Sequence, residues 1–420
     1  MKIAVIGGGS TYTPELLDGL IDRRAALGLD AVVLHDVDGA RLDAVSGFCE
    51  RMAAHRGSPS LVRATLDRDD ALEGADFVVN QVRVGGQRAR HADIQLCLEF
   101  DLIGQETTGM GGFAKALRTI PVTLDLCRAM ERTCPDAWLF NFTNPSGLVT
   151  EAILDHGHSK AIGLCNVPMD AKMALASHLG VRADTIDLDY VGLNHLSWLR
   201  RVTVAGRDVT SDVLDALAAG TPANLPDLID PPHLVRAVGG FPLYYLRFFY
   251  HRDAMLAGLK AAPRSRAQEV MKIEDRLLAI YRDPSQHEKP AALSERGGAY
   301  YSVVAVELVE AIARDLGTEQ VVNVRNEGAI PNVEAKAVVE IPARIGRSRA
   351  TPRPTAPLSP AQLGLLQAVK SYEQLTIQAA VEKSRDAAIA AMLVHPLGPD
   401  ADRVEALLDR IIAKDRVELA

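Results

Sequence analysis

The chain has 420 residues, 48% hydrophobic and 24% charged, which is the composition of a folded globular protein and excludes a disordered or fibrous one. Its net charge of -8 excludes a nucleic-acid binder working through a basic surface, although a local arginine cluster can still hold an anionic substrate. No apolar run reaches the ~18 residues of a membrane span, and five scattered cysteines without a C-x-x-C pattern fit reduced thiols in the cytoplasm.

The first predicted element is the strand Ile3–Ile6, followed by the glycine run Gly7-Gly-Gly-Ser10-Thr11 and a helix over Pro14–Arg24. Proline suits a first helical turn, where its missing N–H costs nothing. A glycine-rich turn between a strand and a helix can hold a pyrophosphate on its amides and on the helix N-terminus. Tyr12 stands where the third glycine of G-x-G-x-x-G is expected, so the motif departs from the common fingerprint. A second strand, Val32–His35, ends at Asp36, an acid placed to bond the adenosine ribose hydroxyls of NAD rather than NADP. A helix over Ala40–His55 follows, then predicted strands Phe77–Val82, Trp138–Phe142 and Ala161–Cys165. This alternation predicts a parallel α/β sheet. Gly7, Gly9, Ser10, Asp36 and Arg83 are the nucleotide-site candidates, Arg83 because it ends a strand on the same sheet edge.

Beyond Cys165 the pattern changes. Asp187–Val204 reads as antiparallel or mixed strands around His195, Asp215–Pro232 as a surface excursion and Pro242–Arg282 as helical. Gln320–Ala350 holds strand-like segments, Pro352–Pro357 a turn or linker, and Leu363–Leu393 and Asp402–Ala413 helices broken at His395-Pro-Leu-Gly-Pro399. The expected division is 1–168, a nucleotide-binding domain, and 169–420, a substrate, metal and oligomerisation domain. Cys165 and His195 each end a strand-like run and offer a thiolate and an imidazole to one divalent metal. Taken singly, each reads better as a packed core residue, Cys165 as a small hydrophobe and His195 as a hydrogen-bonded histidine.

Eight motifs occur in a fixed order: Gly7-Gly-Gly-Ser-Thr-Tyr-Thr-Pro14, Arg83-Val-Gly-Gly86, Gly104-Gln-Glu-Thr-Thr-Gly109, Asn141-Phe-Thr-Asn-Pro-Ser-Gly147, Cys165-Asn-Val-Pro168, Gly192-Leu-Asn-His-Leu-Ser197, Glu269-Val-Met-Lys-Ile-Glu274 and Asn323-Val-Arg-Asn-Glu-Gly328. Through them nearly the whole chain resembles the NAD- and divalent-metal-dependent glycosidases of glycoside hydrolase family four, the 6-phospho-β-glucosidases in particular. This family is an exception to two-carboxylate glycosidase chemistry.

The resemblance implies a Rossmann-type nicotinamide domain with a second α/β domain, as in lactate and malate dehydrogenases. It implies NAD and a divalent metal, usually Mn²⁺, on Cys165 and His195. The implied reaction oxidises C3 of the sugar, removes the C2 proton, eliminates the aglycone, adds water and re-reduces C3. Tyr245 is the implied base, with Tyr244 as the other candidate, and Glu106 is a second catalytic candidate that bonds sugar hydroxyls or helps the leaving group. Arg90 and Arg266 are implied phosphate contacts, Asn144 a sugar contact, and Asn166, beside the metal-binding cysteine, a marker of β-glucosides. Ile94 follows Asp93 where the family often carries Asp-Glu. The implied partner is a phosphorylated β-glucoside, with assembly as a homodimer or homotetramer and no nucleic-acid or membrane partner. Two alternatives remain: a relative acting on unphosphorylated or α-linked sugars, and a hydroxy-acid-type dehydrogenase with net NAD turnover.

Overall fold

A computed structural model describes residues 1–213, 230–296 and 300–419. Strands β1 (Lys2–Ile6), β2 (Ala31–His35), β3 (Val62–Thr65), β4 (Phe77–Asn80), β5 (Trp138–Asn141) and β6 (Ala161–Gly163) pair in parallel in the order β3-β2-β1-β4-β5-β6. This is the doubly wound nicotinamide-binding order, and its direction reverses between β1 and β4. Strands covered on both faces need continuous apolar runs, and Phe77-Val-Val and Ile3-Ala-Val-Ile6 are such runs, all buried.

The sheet does not stop at residue 168. Strands β7 (Ile186–Leu193), β8 (Leu196–Val204), β9 (Arg207–Asp208) and β10 (Phe241–Pro242) form a small antiparallel sheet. Strands β11 (Glu319–Arg325), β12 (Val338–Ile345) and β13 (Ala350–Pro352) return to the edge beyond β6 and pair antiparallel there. Asn323 of β11 faces Gly163 of β6 on one side and Glu340 of β12 on the other. A Cβ on Gly163 would fall 2.2 Å from Thr150 Oγ1 and 2.8 Å from Asn323 Cβ, so this junction requires glycine.

Several predicted boundaries move. The strands expected to reach Val82, Phe142 and Cys165 end at Asn80, Asn141 and Gly163, leaving Gln81–Arg83 and Cys165 on the turns above the sheet. Asn80 Nδ2 donates to Asn141 Oδ1 at 3.1 Å across the strand ends. The expected helical stretch Pro242–Arg282 is broken into a 3₁₀ turn (Tyr244–Leu246) and helices Arg247–Tyr250, Arg252–Ala261 and Arg266–Arg282. Pro263 holds Ala262 extended, and the Ser265 capping box restarts the helix. Leu363–Leu393 also divides, into helices Pro360–Glu382 and Arg385–Val394. Lys383 turns left-handed (φ 59°) and Ser384 caps the second helix through Ala387 N–H. Pro352 closes β13 rather than opening a linker. Of the expected excursion Asp215–Pro232, residues 215–229 lie outside the described residues.

Among the described residues no helix is long and apolar enough to cross a membrane. All five cysteines are buried and free.

Candidate active site

The carboxyl ends of β1, β2 and β4 open into a cleft of about 940 Å³, lined by Gly7, Gly9, Ser10, Asp36, Arg83 and Asn144 among others. Ligands of open α/β sheets bind at this position. The glycines are fixed by close approach. Gly7 has φ +87°, and a Cβ on Gly8 would sit 2.8 Å from Leu34 Cβ. The turn, however, uses its own amides. Gly7 and Gly8 N–H donate to His35 O (2.9 and 2.7 Å), Gly9 N–H to Asp36 Oδ2 (2.9 Å) and Ser10 N–H to Gly7 O (3.1 Å). The glycines thus shape the cleft wall. The arginines and lysine lining the cleft are Arg41, Arg68, Arg83, Arg88, Lys115 and Arg296, of which Arg41 and Arg296 share the buried Glu274. The size, the position above the switch point and Asp36 at the tip of β2 fit NAD.

Cys165 follows β6, and His195 lies in the two-residue turn between β7 and β8, with φ +64°. A non-glycine residue in that conformation carries strain that surrounding contacts must hold. Cys165 Sγ lies 3.5 Å from His195 Nε2, and His195 Nδ1 lies 2.6 Å from Thr107 Oγ1. Nε2 therefore faces the thiol while Nδ1 is occupied, the arrangement that fixes a metal-binding tautomer. Burial lowers the His195 pKa to about 3, so the ring is neutral. Burial, and after it the negative charge of Glu340, pushes the Cys165 thiol well up, so a thiolate here requires a cation. Two soft protein donors leave coordination positions for substrate oxygens and water, which fits a divalent transition metal. The Tyr245 ring stacks on His195 with centroids 3.8 Å apart. Tyr245 is half-buried, whereas Tyr244 is buried against Cys165 and Val167.

Glu106 is enclosed by cations. Arg83 Nη1 contacts Oε2, Lys115 Nζ lies 2.9 Å from the same oxygen, and Arg90 Nη2 lies 3.1 Å from Oε1. Burial opposes its charge, but Arg83, Arg90 and Lys115 outweigh burial and hold the carboxyl well below its ordinary range. Glu106 is thus an acceptor for hydroxyls and an anchor for arginines, and a poor proton donor. Burial, then Arg83, lowers Lys115 to about 7. Three cations on one carboxylate leave an excess positive charge suited to an anion. Arg266 begins its helix, pairs with Glu269 at 3.2 Å and donates to the carbonyls of Glu295 and Arg296. Asn166 donates its amide to Asp170 Oδ2. Ile94, where the sequence departs from the family pattern, is 5% exposed, and Asp93 beside it is held by Arg118 and Lys414. The departure therefore falls in the core.

Sequence reasoning missed Lys115, Thr107 and Glu340. Lys115 interrupts the buried run Met110–Leu117, and Glu340 interrupts the apolar strand Val338–Ile341. A charge inside a buried run was the available signal. Thr107 carries no such signal.

Two family models cover the chain: "Family 4 glycosyl hydrolase" matches residues 2–181, and "Family 4 glycosyl hydrolase C-terminal domain" matches 190–398. A 6-phospho-beta-glucosidase from Escherichia coli is 38% identical over 423 residues, covering 98% of this chain and 94% of that protein. The structure of the 6-phospho-beta glucosidase from Thermotoga maritima with manganese, NAD⁺ and glucose-6-phosphate superposes with a TM-score of 0.93 at 37% identity, covering all of both chains. Malate dehydrogenase from Plasmodium falciparum shares the fold, with a TM-score of 0.56 at 13% identity over 91% of this chain and 99% of that one. With its nicotinamide-type sheet and its cysteine and histidine drawn together, the chain belongs to family 4 of the glycosyl hydrolases.

Proposed function

We propose that the chain is an NAD- and Mn²⁺-dependent 6-phospho-β-glucosidase. The reading rests above all on one observation: Cys165 Sγ and His195 Nε2 face each other at 3.5 Å, with the Tyr245 ring stacked on that imidazole. The E. coli and T. maritima relatives carry the same activity in their names. When bound, NAD⁺ supplies a hydride acceptor for the sugar C3, and the divalent cation a Lewis acid for the oxygens at C2 and C3.

The chain's own residues do the rest. Cys165 and His195 hold the cation, and Thr107 keeps the His195 tautomer. The phenolic oxygen of Tyr245 takes the proton from C2. A phenol near its ordinary pKa of ~10 is a weak base at neutral pH, so it needs the cation nearby to stabilise the phenolate. Elimination then expels the aglycone from C1, water adds, and C3 is re-reduced, so NAD⁺ is regenerated each turnover. Arg90 and Arg266 are the phosphate contacts in this reading, supported by the excess positive charge around Glu106. Asn144 bonds the sugar from the cleft wall. Asn166 marks the β-linked class through its place beside Cys165, and Glu106 bonds sugar hydroxyls as an acceptor. Gly7, Gly9, Ser10, Asp36 and Arg83 line the nicotinamide nucleotide. The reading also includes a functional division into 1–168 and 169–420, a cytoplasmic location, supported by five free cysteines, and a homodimer or homotetramer.

The test is release of aglycone from p-nitrophenyl β-glucoside with and without a 6-phosphate, with Mn²⁺ and NAD⁺ each added or withheld. Turnover only of the phosphorylated compound, and only with both cofactors, is expected. Preference for the plain glucoside would remove the phosphate assignment. Accumulation of reduced nicotinamide in step with product would replace the glycosidase by a dehydrogenase.

A further inference from the structure

Glu340 is 1% exposed and sits on β12 behind Cys165 and His195. Four side chains converge on its carboxylate. Oε1 accepts from Asn194 Nδ2 at 2.9 Å and from Asn323 Nδ2 at 3.1 Å. Oε2 accepts from Tyr190 Oη at 2.6 Å, with Ser197 Oγ 3.2 Å away. No lysine, arginine or histidine pairs with it among the described residues. A buried carboxylate is normally retained beside a cation, because desolvating a lone charge is costly. Here every neighbour is neutral; burial raises the carboxyl pKa above its ordinary range, and the donors, Tyr190 first, oppose that rise and favour the ionised form.

The partners are not random core residues. Asn194, Tyr190 and Ser197 all belong to the β7–β8 hairpin, and Asn194 immediately precedes His195 in its turn. Asn323 also donates its second amide proton to Gly163 O at 3.3 Å, the last residue of β6, two positions before Cys165. One carboxylate therefore ties together the two chain segments that present the thiol and the imidazole. These segments come from different sheets and from opposite sides of residue 168.

We infer that Glu340 is a positioning residue for the cation site: it fixes the Cys165 and His195 segments against each other and supplies, one layer behind them, the negative charge that a bound divalent cation balances. The inference rests on the reading of Cys165 and His195 as metal ligands. A carboxylate outside the ligands orients them through hydrogen bonds, and losing such a group costs about 10–100-fold in metal affinity.

The test is Mn²⁺ and NAD⁺ binding by calorimetry on the full chain, with thermal melts of the metal-free protein. E340Q keeps the shape and removes the charge. Its Mn²⁺ affinity is expected to fall at least about tenfold, with NAD⁺ affinity unchanged and the metal-free melting temperature not lowered, since an uncompensated buried charge has been removed. E340D, which keeps the charge, should recover part of the loss. Y190F breaks the shortest hydrogen bond but keeps the charge, and should leave Mn²⁺ affinity within about threefold of the parent. Mn²⁺ binding by E340Q within twofold of the parent overturns the inference, as does equal loss in E340Q and Y190F. Should E340Q not fold, N323L carries the test. It cuts the link from Glu340 to Gly163 on the Cys165 segment while Tyr190 and Asn194 still hold Glu340, and it should weaken Mn²⁺ about fivefold or more; unchanged binding overturns the inference. C165A separates the two readings. If C165A weakens Mn²⁺ and E340Q does not, the role of Glu340 alone falls; if C165A leaves Mn²⁺ unchanged, the metal site itself is elsewhere.

Discussion

The ring of Tyr245 lies nearly parallel to the imidazole of His195, 17° between planes. The stack fixes where the phenolic oxygen can go relative to a cation held by the imidazole, and it separates Tyr245 from its neighbour Tyr244, which packs into the core. Y245F keeps the stack and removes the oxygen. Its kcat should fall about a hundredfold or more, the range for a lost general base, with Mn²⁺ affinity nearly unchanged. Y244F should change kcat by less than about threefold. Product formed by the parent in heavy water should carry deuterium at C2. Its absence would remove Tyr245 from that step.

Asp36 serves two neighbours. Oδ2 accepts from Gly9 N–H at 2.9 Å and Oδ1 from Asp38 N–H at 3.1 Å. The carboxylate thus holds the glycine turn closed as well as lining the cleft. D36A should weaken NAD⁺ by about 10–100-fold, the worth of hydrogen bonds to a charged group, and leave Mn²⁺ binding by Cys165 and His195 unchanged. Equilibrium titrations with each ligand separately check this. A parallel loss of both affinities would mean that the substitution disturbs the fold beyond the cleft.

The legible features were those that sit at strand ends. Gly7, Asp36, Arg83, Cys165 and His195 are all marked by local sequence, an apolar run followed by a turn residue, and the fold brings them to one side of the sheets. What was not legible depends on distance along the chain. Glu340 meets Tyr190 across 150 residues and Asn194 across 146. Thr107 meets His195 across 88. The closing of the main sheet by β11–β13 was equally hidden, because antiparallel pairing at an edge leaves no signature in either strand alone. The breaks at Ala262 and Lys383 were overridden by helical periodicity on both sides, although Pro263 and Ser384 stood in the sequence as stop and start signals.

Glu106 and Lys115 should respond to substitution unequally. Removing the carboxylate in E106Q leaves Arg83, Arg90 and Lys115 facing one another without the acid that bridges them, and Lys115 and Arg90 are 3% and 11% exposed at their side chains. Stability should fall by about 3 kcal/mol or more, as for a buried ion cluster that loses its shared carboxylate. K115M leaves Glu106 paired with two arginines and puts an uncharged chain of similar length in the place of Lys115, so its cost should stay below about 1 kcal/mol. Urea unfolding of both variants checks the asymmetry. A K115M cost equal to that of E106Q would show that Lys115, rather than the arginines, is the balancing charge.

His395, which lines one small cavity together with Thr107 and His195, gives a pH dependence of stability. It is 4% exposed, its Nδ1 accepts from Leu397 N–H at 2.9 Å, and the edge of the Tyr372 ring closes on it at 4.4 Å. Burial lowers its pKa from 6.5 to about 3. In the unfolded chain the ring takes a proton below pH 6.5, whereas the folded chain refuses it until about pH 3. The unfolded state therefore binds more protons throughout that window, and stability falls as pH drops through it. His195, also lowered to about 3 by burial, acts in the same direction. H395N keeps an acceptor for Leu397 and removes the titration. Its stability at neutral pH should be a little lower, from lost packing, but its slope below pH 6.5 should be shallower by up to about 1.4 kcal/mol per pH unit. The residual slope is what His35, His195 and the lowered carboxylate Glu106 add, less the opposite contribution of Asp170, raised by burial to about 7, and of Glu373, raised by burial to about 6. Unfolding free energies measured from neutral pH down to about pH 4.5 decide it: parallel curves for parent and variant would mean that His395 is protonated in the folded chain.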